Sequence, residues 1–574
     1  MKTAPVGIFF NVQSFKKPVQ KSISMVDDSI KKENTAPLPN ALNFLGTYYA
    51  QTDAHARVPM VASTLCGIEN SIENDKSPEP VFLLDCGDFF GESYAFETIG
   101  DVYSAFQKRN PDVTSVFTFG NYDLSALLGW GIIAQHQKPM IDVCEKISNA
   151  GINFVSATYP LVVEELEKQG KEVPKLDNIK PYMILNDIVD GKPQKVFLTA
   201  VAVSELDGSN GNAVSKKRAL KYAMEAARQD GFEPQNADKT IILLHESPKT
   251  GCEIIEYAKD ELGLQNVELV IGGHPHSIND FTMGKTRVVY PPAQGKGAYV
   301  IKSTKDGFNF TPLKLKQSGY DYSPLIGASG VIDNSDINHP LPVKGEYARI
   351  VKNPVNSSFL KVVAEKAPYS LEFRNYDAKL SSPTSFGTFM ANSYRDILGA
   401  DFALSRNQLI REKLPARGQS VNRYNICDSI NIDNSLYRVN LTCDKLKEVF
   451  EVSLKKQDTG ITNSPFLEYS DNLRITRKGD AKEDEDKVVQ IEIFENGDWV
   501  KLLDSNGRSL YPNRSFNIVT EDALAIEKIG EFKGLNLKSE KIEGETMRSL
   551  LCKALNLPAN PDEPEYHRSE IITV

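Results

Sequence analysis

The chain is poor in cysteine and lacks any closely spaced cysteine pair. Only seven of its 574 residues are cysteines, and no two of them form a CxxC motif. Zinc ribbons need such pairs, and dense disulfide frameworks need an even, regularly spaced set, so neither is expected. The sequence instead favours buried free thiols in a reducing compartment, at Cys66, Cys86, Cys144, Cys252, Cys427, Cys443 and Cys552.

The chain also lacks an excess of positive charge. Its formal net charge is −10, whereas a surface that binds nucleic-acid polymers is basic. The composition therefore argues against a nucleic-acid polymer as partner. A small anionic substrate stays open, because a local metal centre can reverse the field of the whole protein.

Long apolar runs are missing as well. No run approaches the ~18 residues that span a bilayer, so no membrane span is expected. The apolar patch at Val6–Phe10 is shorter than the ~7–15 residue core of a secretory signal. These absences predict a cytoplasmic protein, with non-classical export as the alternative.

The length predicts more than one domain, because single cores stop growing near ~250–300 residues. Residues 1–40 are polar and lysine-rich and are expected to form an N-terminal extension, with Val6–Phe10 as one optional added strand. Residues 41–317 alternate strand-like and helix-like patterns, which indicates an α/β domain. Residues 318–354 are expected to form a linker, since they are rich in Ser, Asp, Asn, Gly and Pro, and residues 355–574 form a second unit.

Short apolar stretches mark the strands of the first domain. They are β-branched or aromatic on both faces, as buried strands are: Phe44–Tyr49, Val81–Leu84, Ser115–Phe119, Val196–Val203, Thr240–Leu244 and Val267–Ile271. Between them, Val61, Leu65, Ile68 and Ile72 recur at helical spacing and predict one buried helix face.

The second unit begins with helical patterns and continues with strands and turns. Phe359–Glu365 and Phe386–Leu398 are expected to be helical, and Asn472–Thr476 and Val488–Phe494 to be strands. Asn496-Gly497 predicts a hairpin turn. Further turn or loop signals lie at 504–507 and in the charged run 480–487.

Seven nitrogen- and oxygen-bearing side chains follow the predicted strands in one order. We expect them to meet at the carboxyl edge of the sheet, where α/β proteins place their sites, and Gly87, Gly120 and Gly273 allow the tight turns. Each motif alone is weak, because Asp-x-His occurs by chance and a lone histidine is usually structural. The prediction of a shared site rests on the ordered set as a whole, which consists of Asp53, His55, Asp88, Asn121, His245, His274 and His276.

The ligand types predict a pair of divalent transition-metal ions. Mixed carboxylate, amide and imidazole groups suit Mn, Zn, Fe or Co, and the set has too much nitrogen for Ca or Mg. Two divalent ions with Asp53 and Asp88 leave a residual charge of +2. That charge suits a dianionic phosphate and lowers the pKa of bound water.

This series resembles the calcineurin-like metallophosphoesterases, whose pattern is DxH, GD, GNH, H and GHxH. The resemblance implies a four-layer αββα sandwich. It implies one metal held by Asp53, His55, Asp88 and His276, and another held by Asp88, Asn121, His245 and His274. Asp88 would bridge the two, and a metal-bridging hydroxide would attack phosphorus in line.

More narrowly, the chain resembles the 5′-nucleotidase branch of that superfamily. The resemblance rests on Leu83–Ser93, on the turn at 294–297, and on two segments of the second unit, Ser385–Thr388 and Ala400–Arg411. It implies that residues 355–574 form a substrate-binding C-terminal α/β domain. Within it, Asn407 and Arg411 are the candidate substrate-binding residues, although Arg411 is as readily explained as an ordinary surface arginine.

Several positions depart from the family pattern. Tyr122 replaces the histidine that stabilises the transition state or assists the leaving group, and Ser125 replaces the aspartate partner of that histidine. The two phenylalanines that stack on the base are replaced by Ile432 and Ala523, which puts nucleotide preference in doubt. A tyrosine hydroxyl can still donate to a phosphoryl oxygen, so Tyr122 and Asn121 are the candidate catalytic residues.

Three functional hypotheses follow. The first is a two-metal phosphoester hydrolase acting on a phosphomonoester, with a nucleotide as one candidate. The second is a pseudoenzyme that keeps the fold and the metals as a binding or regulatory module. In the third, the motifs are coincidental in an unrelated α/β protein, and metal analysis would separate this case from the other two.

Overall fold

The structure is a computed structural model that describes a set of residues between 46 and 573. These are 46–75, 80–90, 96–129, 136–176, 178–189, 191–202, 215–276, 278–293, 295, 297–304, 307–313, 316–317, 320–321, 345–351, 353, 361–372, 383–410, 413–430, 433–458, 467–478, 487–525, 532, 535, 537–557 and 570–573. The predicted extension 1–40 and most of the charged run 480–487 lie outside them. No helix in these ranges is both long and apolar enough to cross a membrane.

The first domain contains two sheets. The seven-stranded sheet consists of β1 (Thr47–Gln51), β2 (Val81–Asp85), β3 (Val113–Phe117), β4 (Asn153–Val155), β5 (Ile179–Lys180), β12 (Tyr299–Thr304) and β13 (Gly307–Pro312). Their spatial order is β13-β12-β1-β2-β3-β4-β5, and β1 to β5 run parallel. The carboxyl ends of β1, β2 and β3 therefore share one edge.

The six-stranded sheet consists of β6 (Tyr182–Val189), β7 (Lys192–Ala202), β8 (Lys239–His245), β9 (Val267–Gly273), β10 (Asn279–Met283) and β11 (Thr286–Tyr290). The order is β10-β11-β9-β8-β7-β6, with β7, β8, β9 and β11 parallel. Each predicted strand of the domain is present, with ends shifted by a few residues.

Helices cover the outer faces of these sheets. They are α1 (Val58–Asn74), α2 (Phe96–Arg109), α3 (Asn121–Leu128), α4 (Gln137–Asn149), α5 (Thr158–Lys168), α6 (Lys216–Gln229) and α7 (Pro248–Asp260). In α1 the predicted face is buried, with Val61, Leu65 and Ile68 fully inaccessible and Ile72 packed beside them.

Side-chain alternation along the strands explains the layers. Tyr48 and Ala50 of β1 pack with Ile241 and Leu243 of β8 in a core between the sheets. Their neighbours, such as Tyr49, belong instead to the cluster that contains the helices. Because successive strand residues point to opposite faces, each sheet is buried on both sides, and the four-layer αββα fold is confirmed.

A short helix, α8 (Gly345–Val351), lies inside the segment expected to be a linker. Its Tyr347 is fully buried in the first-domain cluster and donates a hydrogen bond of 3.0 Å to Glu69 Oε1. The Arg109 guanidinium lies 4.0 Å from the centre of the Tyr347 ring and pairs with Glu69. This part of the segment therefore packs on α1 and α2, which its polar composition did not indicate.

The second domain contains a five-stranded sheet with helices on it. The strands are β17 (Phe402–Arg406), β19 (Ser435–Thr442), β20 (Leu467–Tyr469), β24 (Ser515–Glu521) and β25 (Ser539–Thr546), in the order β20-β17-β24-β19-β25. The helices are α9 (Ser385–Leu398), α10 (Arg423–Ser429), α11 (Cys443–Asp458), α12 (Asp522–Ala525) and α13 (Met547–Ala554). One face of the sheet packs on α9 and α13 and the other on α11.

A four-stranded sheet completes the second domain: β21 (Leu473–Arg477), β22 (Val488–Glu495), β23 (Asp498–Lys501) and β26 (Glu570–Thr573). Two small sheets pair β14 (Lys316–Gln317) with β15 (Tyr320–Asp321), and β16 (Val362–Ala364) with β18 (Val421–Asn422). The Asn496-Gly497 turn joins β22 to β23, and both residues have positive φ, 51° and 92°, as a tight hairpin turn requires.

The helix expected at Phe359–Glu365 is wrong. The described part of this segment contains the strand β16, in which Val362 and Ala364 pair with Asn422 and Val421. β-Branched valines pack well on a pleated surface, so the pairing partner overrides a weak helical pattern. The helix expected at Phe386–Leu398 is confirmed by α9.

Glu521 makes the stability of the second domain depend on pH. This residue ends β24 and is fully buried, and burial raises the pKa of its carboxyl to about 7. The folded protein therefore keeps a proton that the unfolded chain releases, so stability should fall as pH rises from about 4.5 to about 7, by about 3 kcal/mol.

Urea unfolding between pH 4.5 and pH 8 checks this expectation, with Glu521→Gln expected to remove that share of the slope. Glu540→Gln, on the exposed side of β25, should leave the slope unchanged. Equal slopes for wild type and Glu521→Gln would show that the carboxyl is ionised throughout.

Candidate metal centre

The two sheets bring all seven predicted ligands to neighbouring strand ends. Asp53 and His55 follow β1, Asp88 follows β2, and Asn121 begins α3 after β3. In the other sheet His245 is the last residue of β8, and His274 and His276 follow β9. The sequence predicts the strand ends correctly, and the sandwich places those of the two sheets opposite each other.

The backbone at these residues is unusual. Among the described non-glycine residues only seven have positive φ, and five of them are predicted ligands: Asp53, His55, Asp88, His274 and His276, at 46–90°. Left-handed backbone costs energy for such residues, and strain of this kind concentrates at functional sites. The fold therefore holds these side chains in a conformation that the local sequence disfavours.

One group of side chains contains Asp53, His55 and His276. The Nε2 atoms of the two histidines lie 2.9 Å apart. Asp53 Oδ1 lies 3.4 Å from His276 Nε2 and 3.9 Å from His55 Nε2. One ligand atom from each residue thus converges on a point that could hold a metal ion.

The second group contains Asp88, His245, His274 and Asn121. His245 Nε2 lies 3.0 Å from Asp88 Oδ2 and 3.2 Å from Asn121 Oδ1. The same Asn121 oxygen lies 2.9 Å from His274 Nδ1. His245 Nε2 is also 3.9 Å from Asp53 Oδ1, so the two groups adjoin.

The hydrogen-bond partners of the two ring nitrogens of His245 suit a site that binds a cation. Its Nδ1 lies 2.8 Å from the Cys86 carbonyl oxygen, which can only accept, so Nδ1 carries the hydrogen. In the neutral ring Nε2 then presents a lone pair toward the oxygens of Asp88 and Asn121. These three atoms need a positive charge among them, which a proton on Nε2 supplies in the metal-free site and a metal ion would supply when the ring is neutral, so the residues present fit a metal ion.

The charge balance of the metal-free site also supports the binding of metal ions. Although burial lowers it, the Asp88 carboxylate raises the pKa of His245 to about 10. Burial raises the pKa of Asp53, but His276 holds it below its usual range. The pKa of His55 falls to about 3, through burial and then through His276. The buried carboxylates therefore demand compensating positive charge, which bound cations would supply.

Asp123 is a functional candidate that sequence reasoning missed. This fully buried residue accepts backbone N–H hydrogen bonds from Asp88 (2.6 Å), Gly120 (2.9 Å) and Phe90 (3.0 Å). It thereby ties the loop that carries Asp88 to the start of α3, which carries Asn121. The available signal was an acidic residue two positions after Asn121, where it suits the first turn of a helix.

Two glycines are required by close approaches. Gly87 has φ 93°, and a Cβ there would lie 2.3 Å from the Gly120 nitrogen. A Cβ on Gly273 would lie 2.2 Å from Thr52 Oγ1 and 2.9 Å from His245 Nδ1. These contacts explain why the predicted turns need glycine, because neighbouring backbone at Gly87 and neighbouring side chains at Gly273 leave no room for a Cβ atom.

The remaining predicted site residues are placed as follows. The Tyr122 ring lies 5.3 Å from the His55 ring, centre to centre, and its backbone N–H donates to Asp88 Oδ1 at 2.9 Å. Ser125 lies in α3. Asn407 lies in the second domain, at the start of a 3-10 helix (Asn407–Leu409) after β17. Arg411 and Ile432 lie outside the described residues, and Ala523 lies in α12.

Comparisons with known proteins agree with this architecture. Residues 362–536 match the family profile of the 5′-nucleotidase C-terminal domain. A 5′-nucleotidase precursor from Thermus thermophilus is similar in structure, with a TM-score of 0.62 and 14% identity, over 92% of this chain and 99% of that one. No curated protein sequence matches the chain.

Two further solved structures share the fold. A sulfate thiohydrolase from Thermus thermophilus, solved with glycerol, has a TM-score of 0.57 at 14% identity, over 92% of this chain and 96% of that one. A 5′-nucleotidase from Candida albicans has a TM-score of 0.54 at 11% identity, over 89% and 98%. At such identities the likeness establishes the fold alone. The resemblance to the 5′-nucleotidase branch is confirmed, but proteins named for different substrates share this architecture.

Proposed function

From its 5′-nucleotidase-like fold and C-terminal domain, we propose that this chain is a two-metal phosphoester hydrolase acting on a phosphomonoester. The observation that carries the proposal is the pair of adjoining ligand groups, Asp53–His55–His276 and Asp88–His245–His274. Five of these six residues are held in strained backbone. In this proposal residues 41–317 carry the chemistry and residues 355–574 bind the rest of the substrate.

The residues divide between two divalent ions, for which Mn, Zn, Fe and Co are the candidates. Asp53, His55, Asp88 and His276 would hold one, and Asp88, Asn121, His245 and His274 the other. Such ions polarise a phosphoryl oxygen and make water nucleophilic at neutral pH. A site with two carboxylates and two divalent ions keeps a charge of +2, which favours a small dianionic substrate over a neutral one.

Release of phosphate by the metal-loaded protein tests the proposal. The full chain, stripped with a chelator and reloaded with Mn²⁺, would be given nucleotides and simple phosphomonoesters. We expect hydrolysis that depends on added metal and is absent from the stripped protein. Folded protein that binds two equivalents of metal and hydrolyses none of these compounds would contradict the proposal.

A second candidate function, a metal-binding module without catalysis, is favoured by one observation. Tyr122, whose ring lies beside that of His55, stands where the resemblance implies a catalytic histidine. A phenol with an ordinary pKa near ~10 is neutral at pH 7 and cannot supply the charge of an imidazolium. This candidate predicts retained metal binding with no turnover, which the phosphate-release experiment detects directly.

If the protein is an enzyme, the Tyr122 hydroxyl should contribute to catalysis. A hydrogen bond to a charged group is worth ~1.5–3 kcal/mol, so Tyr122→Phe should lower kcat by about 10- to 100-fold. Steady-state kinetics on the best phosphomonoester measure this loss. Tyr222→Phe, on α6, serves as the matched control. An unchanged kcat in Tyr122→Phe would remove the hydroxyl from the mechanism.

A further inference from the structure

The two ligand groups open to solvent on the side of two imidazoles. The side chains of His55 and His276 are 13% and 26% exposed, whereas those of Asp53 and Asp88 are each 1% exposed. His245 is fully enclosed. A substrate therefore reaches the centre past His55 and His276, and we call this side of the site the opening.

Tyr122 stands at the opening and is not a ligand. Its ring lies 5.3 Å from the His55 ring, centre to centre, with an angle of 79° between the two planes. Its backbone N–H donates to Asp88 Oδ1 at 2.9 Å, which holds the start of α3 against the ligand loop. A phenol in this place can donate a hydrogen bond to a phosphoryl oxygen. As an acid it is weak, because phenols hold their protons more tightly than imidazolium or carboxylic acids do.

Two further carboxyl groups border the ligand set, and neither is placed to pass a proton to a substrate. Asp123 is fully buried, and its oxygens are bound to backbone N–H groups, including that of Asp88 at 2.6 Å. Glu246 directly follows β8 and is 8% exposed. One of its oxygens accepts the Ser247 backbone N–H at 2.9 Å, and the other forms an ion pair with Lys216. These contacts suit a carboxylate that stays ionised.

The described histidine that is not a ligand lies in the helix layer. His136 precedes α4, and its ring lies 6.3 Å from the ring of Phe90, which packs in the cluster that contains the helices. Burial lowers the pKa of His136, so this imidazole is neutral at pH 7. Among the residues that the structure describes, none at the opening is therefore an efficient general acid.

We infer that the substrate is a phosphomonoester whose leaving group departs as an anion, such as an aryl or enol phosphate. A water oxygen forms the new bond to phosphorus and a proton of that water passes to solvent. The departing oxygen keeps the electron pair of the broken P–O bond. Esters of phenols and enols release a weakly basic anion in this way, so they need no proton from the protein.

Esters of ordinary alcohols are disfavoured by the same argument. They release a strongly basic alkoxide, and a placed general acid typically speeds such a step by ~10²–10⁴-fold. The opening offers a hydrogen-bond donor in Tyr122 but no acid of this kind. The inference rests on the proposed function, because it names the substrate class of that same site.

A series of esters that differ in the acidity of the leaving group tests the inference. The Mn²⁺-loaded full chain would be assayed with para-nitrophenyl phosphate, phenyl phosphate and ethyl phosphate, in falling order of that acidity. We expect kcat/KM to fall by at least about tenfold at each step, since a missing general acid costs ~10²–10⁴-fold. Ethyl phosphate hydrolysed as fast as the aryl esters would overturn the inference and leave the proposed function standing. No hydrolysis of any of the three would contradict both.

Binding of non-hydrolysable analogues separates the leaving-group effect from the fit of the ring. Calorimetry with phenyl phosphonate and para-nitrophenyl phosphonate measures recognition without cleavage of a P–O bond. We expect similar dissociation constants for the two, although the matching esters differ in kcat/KM. An affinity difference as large as the difference in kcat/KM would overturn the inference, because recognition of the nitro group would then explain the preference.

Tyr122→His should supply the missing acid, because histidine is the side chain that most often acts as one. We expect the ratio of kcat/KM for ethyl phosphate to that for para-nitrophenyl phosphate to rise by about 10- to 100-fold. Tyr122→Phe should lower both rates and keep the ratio, since the hydroxyl donates to a phosphoryl oxygen. An unchanged ratio in Tyr122→His, with the metal content and melting temperature of wild type, would overturn the inference. So would a selective loss of ethyl phosphate hydrolysis in Tyr122→Phe, because the phenol would then be the proton donor.

Discussion

Asp88→Asn is expected to lower kcat/KM for a phosphomonoester by about 10³-fold or more, because bound metal supplies several kcal/mol of charge stabilisation. Asp88 is fully enclosed, with Oδ2 3.0 Å from His245 Nε2, and its charge also acts on His55 in the other ligand group. In the proposed arrangement it is the carboxylate that serves both ions. The amide has nearly the same shape but no charge, so we expect one ion to be lost.

The measurement combines kinetics with metal content and thermal unfolding. Added Mn²⁺ should raise the melting temperature of the wild type, since a ligand that binds only the folded state stabilises it, and should raise that of Asp88→Asn less. Asp142→Asn, on the exposed side of α4, is the matched control and should behave as wild type. An Asp88→Asn protein with two bound ions and normal turnover would show that the bridging assignment is wrong.

Asp123→Asn is expected to have the next largest effect, although Asp123 is not a predicted ligand. Its two oxygens accept three backbone N–H groups, and an asparagine has only one accepting oxygen. At least one buried donor is then left facing an amide NH₂. An unmet buried donor of this kind should lower the free energy of unfolding by about 1–3 kcal/mol.

The same change should weaken the metal site. Residues that orient metal ligands typically contribute 10- to 100-fold to affinity or activity, and Asp123 fixes the loops of both Asp88 and Asn121. Denaturant unfolding, metal titration and kcat/KM should all respond in Asp123→Asn, whereas Asp101→Asn, exposed on α2, should change none of them. Loss of stability with unchanged metal affinity would limit Asp123 to a structural role.

Elements with a strong local sequence pattern were predicted correctly, and elements without one were not. Buried strands such as β8 and β9 are largely apolar runs, and a histidine ends β8 and directly follows β9, so both the strand and the ligand position can be read directly. β16 was misassigned because a short stretch containing Val362 and Val363 has no period of its own, and only its pairing with β18 decides its conformation. Tyr347 was missed because a single aromatic residue within a polar segment carries no pattern.

What the sequence determined by itself is the chemistry available: which side chains stand at which strand ends, and that they suit divalent metals. Only the tertiary structure decided how these side chains divide between the two ligand groups. Asp53, His55 and His276 form one group because the ends of β1 and β9, from different sheets, meet across the sandwich. The same packing buries Asp123 against the backbone of Asp88. Strand order and sheet packing depend on long-range contacts, and no local pattern of residues encodes them.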